Sequence, residues 1–449
     1  MFHRVGRFSF FLRSGGAPAP AMRREHHLRI RWPLIALVLL GIAGPRTGRA
    51  DLEIEQTGQV ASLPQPPSPH WAWVGDPVQR RSVLVDLENG RMLGNLAGGE
   101  GLAIALFPRS RRELYMPRTH YSRGDHGERI DALIFFDSTL LTPVGEVILP
   151  PKRAILAFTS GGSALSDDDR FAAVFNLTPA TSISIVDLEA RTFVEEVSTP
   201  GCSLVYPAGD RRFAMLCGNG ALLLVTLDEA GRVVERTRSA PFFDPVKDPV
   251  TEKAARWGET WLFASFEGYL YSVDLSGAEP RFSEPWSLLS EADREASWRI
   301  GGTRHLAVHQ ATGRLYSLVH QGGPDTHKDA GSELWVYDLE TRTRLQRIEL
   351  ENPGLTFMGL PIEFGKDWIW PFNRLAGWLL GSVPIPIDEV QVTQDAAPLL
   401  VTAGTASGGL GIYDALNGEF LRHIYTGNMA NLGLQLPSGW AGAAQGGNR

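Results

Sequence analysis

The sequence predicts an all-β fold, a seven-bladed β-propeller over residues 75–430, and three observations predict it. One short phrase recurs seven times along the chain. The spacing of the copies is close to the length of one four-stranded propeller blade. Gly (48) and Pro (30) punctuate the 449 residues, and no long amphipathic helical period competes with the strands.

The phrase is a β-rich run that ends at Asp, then a turn, then another β-rich run. Its copies end at Asp86, Asp137, Asp187, Asp228, Asp274, Asp338 and Asp414. Asp, Asn and Gly at the turn supply hairpin chemistry, so each copy reads as two strands of one blade. Further strands precede several copies: Arg170–Phe175, Arg212–Cys217, Thr260–Ala264, Gly313–Val319 and Pro398–Ala403. The last two intervals between copies are the longest, which implies insertions. Ser287–Ala296 is the one helical candidate, short and charged.

The flanks read differently. Basic Met22-Arg23-Arg24 leads into apolar Trp32–Ala43, too short to span a bilayer comfortably, and Gly48-Arg49-Ala50 offers small residues before a cleavage point. Residues 1–50 therefore read as a secretory signal, with 1–21 an upstream mis-start and an uncleaved anchor as the alternative. Residues 51–74 read as an N-terminal arm and 431–449 as a flexible C-terminal tail. Residues 353–387 form an apolar, aromatic insertion that Pro361, Pro371, Pro384 and Pro386 keep from being one helix. Contact with a partner or a membrane surface and packing on its own blade are equally good readings of it.

Chemistry is hard to find. Net charge is −7, which argues against a nucleic-acid surface. The chain has no Gly-x-Ser-x-Gly, no phosphate-cradling Gly-rich loop, no Cys-x-x-Cys and no haem-attachment motif. His305 and His309, four apart on a strand, would sit about 13 Å apart, too far for one metal. His120, Asp125 and His126 lie in a polar loop where a metal is conceivable but a solvated connection fits better. Asp167-Asp168-Asp169 lacks the spacing of an EF-hand and reads as a turn. Cys202 and Cys217 are the only cysteines. Their spacing suits a hairpin. An oxidising compartment favours a disulfide closing a loop of about 15 residues, worth roughly 3 kcal/mol; two buried thiols are the alternative.

Over Gly75–Gly427 the chain resembles the heavy chains of methylamine and aromatic amine dehydrogenases. The resemblance rests on the order of short stretches. They are Asp76-Pro77 with Gly90–Gly94, Arg129-Ile130-Asp131 before Phe136-Asp137, Glu146–Pro150, and Val186–Glu189. Gly201-Cys202, Tyr206-Pro207, Cys217 and Gly220 follow, then Leu289–Arg294, Trp298–Gly302, His327-Lys328, and Val392–Asp395 with Pro398–Leu400.

That resemblance implies an intrachain Cys202–Cys217 disulfide. It also implies a periplasmic heterotetramer of two heavy and two light chains. The light chain would carry tryptophan tryptophylquinone and the catalytic base, oxidise a primary amine to aldehyde and ammonia, and pass electrons to a cupredoxin-type copper protein. The heavy chain would hold no cofactor, metal or catalytic residue and would shape the substrate channel. Glu100, His327 and Lys328 are the candidate channel or partner residues. Two departures stand out. Gly98-Gly99-Glu100-Gly101 has Glu where family members place a channel-lining Phe, and the 353–387 insertion is longer than the family loop. A stand-alone periplasmic propeller that binds a partner without redox chemistry is the alternative function. A calcium-dependent hydrolase is a third.

Overall fold

The computed structural model describes residues 62–64, 67–102, 104–109, 112–155, 161–351, 356–357, 360–361, 387–405 and 409–437. Residues 1–50, read from sequence as a signal, and nearly all of the 353–387 segment lie outside these residues.

Seven antiparallel sheets follow one another along the chain as blades. Blade 2 contains Glu113–Tyr121, Arg129–Asp137 and Pro143–Leu149, with Leu106 bridging Tyr115 on its inner side. Blade 3 runs Ser163–Leu165, Phe171–Asn176, Ser182–Asp187 and Thr192–Ser198 from inner to outer strand. Blade 4 is Cys202–Pro207, Arg212–Cys217, Leu222–Leu227 and Val233–Arg238. In blade 5, Ala255–Trp257, Thr260–Ala264 and Tyr269–Asp274 are followed by two short outer strands, Arg281–Phe282 and Trp286–Ser287. Blade 6 splits its inner strand into Trp298–Ile300 and Leu306–His309, then continues with Arg314–Gln321, Glu333–Asp338 and Thr343–Glu349. Blade 7 is Glu389–Val392, Leu399–Ala403, Gly409–Asp414 and Phe420–Tyr425. The helical expectation survives as a short helix, Glu291–Glu295, with Ser290 and Asp293 forming a capping box.

The repeated Asp has one physical job in common. It ends the third strand of its blade, or follows that strand by one residue, and its carboxylate accepts backbone N–H groups of the next turn. Asp137 takes those of Thr139 and Leu140, Asp187 those of Glu189 and Ala190, and Asp414 those of Leu416 and Asn417. Asp86, Asp228, Asp274 and Asp338 do the same for their own turns. This is an Asx-turn, in which the side chain replaces a missing backbone acceptor. A β-bulge between the third and outer strands follows in six of the seven blades.

Blade 1 closes the ring. Three of its strands, Trp71–Asp76, Arg81–Asp86 and Met92–Ala97, come from the start of the described chain, and the innermost, Leu432–Gln435, comes from its end. Two boundaries expected from sequence move accordingly. Trp71–Val74 belongs to the blade and not to an arm, and Leu432–Gln435 is a strand and not tail. Four residues show too little alternation to read as a strand, and Gly433 interrupts them with a φ of +67°.

Neighbours grip this strand on both sides. The Glu389 carboxylate of blade 7 accepts the amides of Gly433 (2.8 Å) and Leu434 (2.6 Å). Arg304 donates to the Leu434 carbonyl, and the Gln435 amide both donates to and accepts from the Ala105 backbone. Apolar clusters fill the spaces between adjacent blades, as where Trp73, Leu84 and Leu96 of blade 1 meet Leu114, Met116 and Phe136 of blade 2.

Candidate partner-binding end of the propeller

Antiparallel order sorts every loop to one of two ends. Turns from inner to second strand and from third to outer strand share the lower end. Turns from second to third strand and crossovers between blades share the upper end. All seven Asx-turns are therefore below. Glu100, His120–His126, the Cys202–Cys217 pair and His327-Lys328 all lie above.

Glu100 sits in the crossover from blade 1 to blade 2. Gly99 precedes it at φ +69°, where a Cβ would lie 2.9 Å from the Thr119 carbonyl, so only glycine lets the loop lie this close to blade 2. The Glu100 amide donates to Thr119 O, and its carboxylate pairs with Arg80 at 2.6 Å. Its carbonyl accepts from Arg153 Nη2 (2.8 Å). Beneath it, Asp131 is fully buried and accepts from Thr119 Oγ1, Arg129 and the Arg153 amide. Burial lowers Arg153 to about 10, against the pull of Asp131. Burial also lowers His120, helped by the charges of Arg118 and Arg153. Glu100 is thus a fixed acidic point over a rigid cationic base, where an aromatic ring is expected in the resembling family.

A second cluster lies on blades 5 and 6. The His327 ring stacks on Phe266, with centroids 3.4 Å apart. Burial, then the charges of Lys253 and Lys328, lowers its pKa. Lys253 is buried and pairs with Glu252 at 2.7 Å. Thr251 Oγ1 and His305 Nε2 share a hydrogen bond of 3.1 Å. Full burial, with Lys253 adding to it, pushes His305 down to about 3, so its ring stays neutral. Lys328 is exposed beside this group. Glu100 and His327 therefore share an end but not a cluster.

Cys202 and Cys217 lie directly opposite in the blade 4 register and form a disulfide. His305 and His309 part company: His309 reaches the lower end, bonding Thr312 and the Asp395 carbonyl. There Asp167 receives both Arg256 nitrogens (2.5 and 3.0 Å), Asp168 caps its own turn and Asp169 accepts the Arg109 amide. Those carboxylates serve the turn and its arginines. His126 pairs only with its exposed neighbour Asp125. No group of three His, Cys, Asp or Glu is placed to hold a metal among the described residues. No helix among them is long and apolar enough to cross a membrane.

Sequence reasoning missed Glu252, Lys253 and Phe266, which carry no motif. It also missed Arg118, which did leave a signal, because Leu114, Met116 and Arg118 alternate onto one face of a strand.

Residues 72–354 match the family described as methylamine dehydrogenase heavy chain. The chain is 27% identical to the methylamine dehydrogenase heavy chain of Paracoccus versutus, over 80% of this chain and 77% of that one. It is 24% identical to that of Methylophilus methylotrophus (76% of each chain) and 22% identical to that of Methylorubrum extorquens (84% and 86%). Among solved structures, a protein of unknown function from Desulfotomaculum acetoxidans aligns with a TM-score of 0.52 at 11% identity, over 82% of this chain and 98% of that one. The β-propeller domain of Myceliophteria thermophila Cps50 aligns at 0.50 and 10% identity, over 81% and 98%. These two likenesses concern the fold alone.

Proposed function

The chain belongs to the methylamine dehydrogenase heavy chain family, and from that premise we propose that it is the large, non-catalytic subunit of a periplasmic amine dehydrogenase. The family match over most of the propeller carries this reading. In it, a light chain bearing tryptophan tryptophylquinone docks on the upper end of the ring. Two heavy and two light chains assemble, and electrons leave to a cupredoxin-type protein. The quinone supplies amine oxidation within the light chain. The residues here would orient that chain and wall its substrate channel.

The upper end suits a scaffold. Its features are an acidic point at Glu100 paired with Arg80, a stacked His327–Phe266 pair and the exposed cation Lys328. A carboxylate at position 100, in place of an aromatic ring, offers no stacking surface and would favour a small amine over a bulky aromatic one.

The test is purification of the mature chain from its native periplasm, with mass spectrometry for a cross-linked tryptophan pair in a co-eluting small subunit. Amine-dependent dye reduction is expected in the eluate. Recovery of this chain alone, without such activity, would favour a stand-alone propeller instead.

A further inference from the structure

The crevice between blades 1 and 2 contains a buried cation that forms no ion pair among the described residues. Arg118 lies on the second strand of blade 2, on the face turned to blade 1, and is only 7% exposed. Its guanidinium lies 4.7 Å over the Phe136 ring, and Nε reaches only the Met116 sulfur at 3.3 Å. Nη2 is buried and has no hydrogen-bond partner among the described residues. Burial lowers the group to about 10, and no carboxylate opposes that shift. An uncompensated buried guanidinium is costly, and other buried arginines of this protein are neutralised: Arg153 shares Asp131, and Arg304 faces Glu389.

Arg118 lines a cavity of about 580 Å³, within the range of small-molecule sites. Ile134, Phe136, Leu141 and Pro143 form apolar walls, while Asn95 and Glu146 stand at exposed positions on the flanking outer strands. We propose that this crevice binds a small organic carboxylate with an apolar aryl or alkyl body, its carboxylate on Arg118 and its body against Phe136 and Ile134. A planar carboxylate matches the guanidinium fork. A phosphate dianion fits less well, because one cation faces it and Glu146 repels it at the mouth.

Titration calorimetry on the mature protein, with any co-purifying chain kept in place, tests the assignment using benzoate, hexanoate and uncharged benzamide. Benzoate and hexanoate should bind with a Kd on the order of 1 mM or tighter, and benzamide about tenfold more weakly. Arg118→Gln should weaken benzoate about tenfold. Two exposed positions guard against misfolding of that variant. Glu146→Gln should tighten benzoate severalfold, and Asn95→Trp should block it at an unchanged melting temperature. Equal binding of benzoate and benzamide, no binding at 10-fold above the expected Kd, or no response to Glu146→Gln and Asn95→Trp overturns the site. Binding only after a co-purifying chain is stripped off also overturns it, in favour of a partner's own carboxylate. The readout is ligand binding, so the site stands or falls independently of amine oxidation.

Discussion

Replacing Glu389 should loosen the ring where it closes. Its buried carboxylate accepts two amides of the closing strand, and Arg304 holds the same strand by the Leu434 carbonyl. Glu389→Ala leaves the Gly433 and Leu434 amides without that acceptor in a site closed to water. Hydrogen bonds to charged groups contribute about 1.5–3 kcal/mol each, so the loss should be about 3–6 kcal/mol. A domain holds only about 5–15 kcal/mol in all, so the variant would be close to unfolding. Glu389→Gln keeps one acceptor oxygen and should lose roughly half as much. Urea denaturation gives the size, and hydrogen exchange at the Gly433 and Leu434 amides gives the place. An alanine variant within about 1 kcal/mol of the parent, with those amides still protected, would refute this account of closure.

Other expectations follow the same reasoning. Removing the disulfide by Cys202→Ser with Cys217→Ser should cost about 3 kcal/mol, from a loop of 15 residues; a melting temperature unchanged by the pair of substitutions or by reductant would contradict it. Asp187→Ala removes the acceptor for Glu189 and Ala190 and a bond from Arg170, so about 2–3 kcal/mol should be lost in urea melts, and Asp187→Asn should recover part of it. His305 has a folded pKa depressed to about 3 by burial. The unfolded chain alone takes up this proton below about pH 6.5, so stability present above that pH is lost as pH falls toward 3, at up to about 1.4 kcal/mol per unit. His305→Gln should flatten the slope of stability between pH 4 and 6 by one proton, and an unchanged slope would count against the buried neutral ring.

The blades were legible because their commonest turn is chemical. Each Asx-turn needs a short acceptor at one position, so Asp recurs while the strands around it vary. Second strands were legible for a different reason: Arg212–Cys217 and Thr260–Ala264 are apolar runs with clear ends, and both match the structure residue for residue. Inner strands were not. Ser163–Leu165 and Ala255–Trp257 have three residues each, and among the described residues blade 2 offers only the Leu106 bridge there. Such pieces are too short to show a period, and position rather than pattern makes them strands. The upper end was partly legible. Glu100 and His327 stood out beside known relatives, whereas Lys253, Glu252 and Phe266 become neighbours of His305 and His327 only when separate blades meet.

The closing strand also sets a timetable. Met429 donates its amide to Asp76 across 353 residues of chain, and Asn428 reaches Val74 across 354. Joining ends so distant costs roughly 5 kcal/mol in chain entropy beyond the local contacts. During synthesis the first blade waits with an unpaired inner edge until the last inner strand has been made, and an open strand edge invites wrong pairing. A chain cut short before Leu432 would present that edge permanently. Such truncations should therefore aggregate through blade 1 even though most of the sequence, and every Asx-turn, is intact.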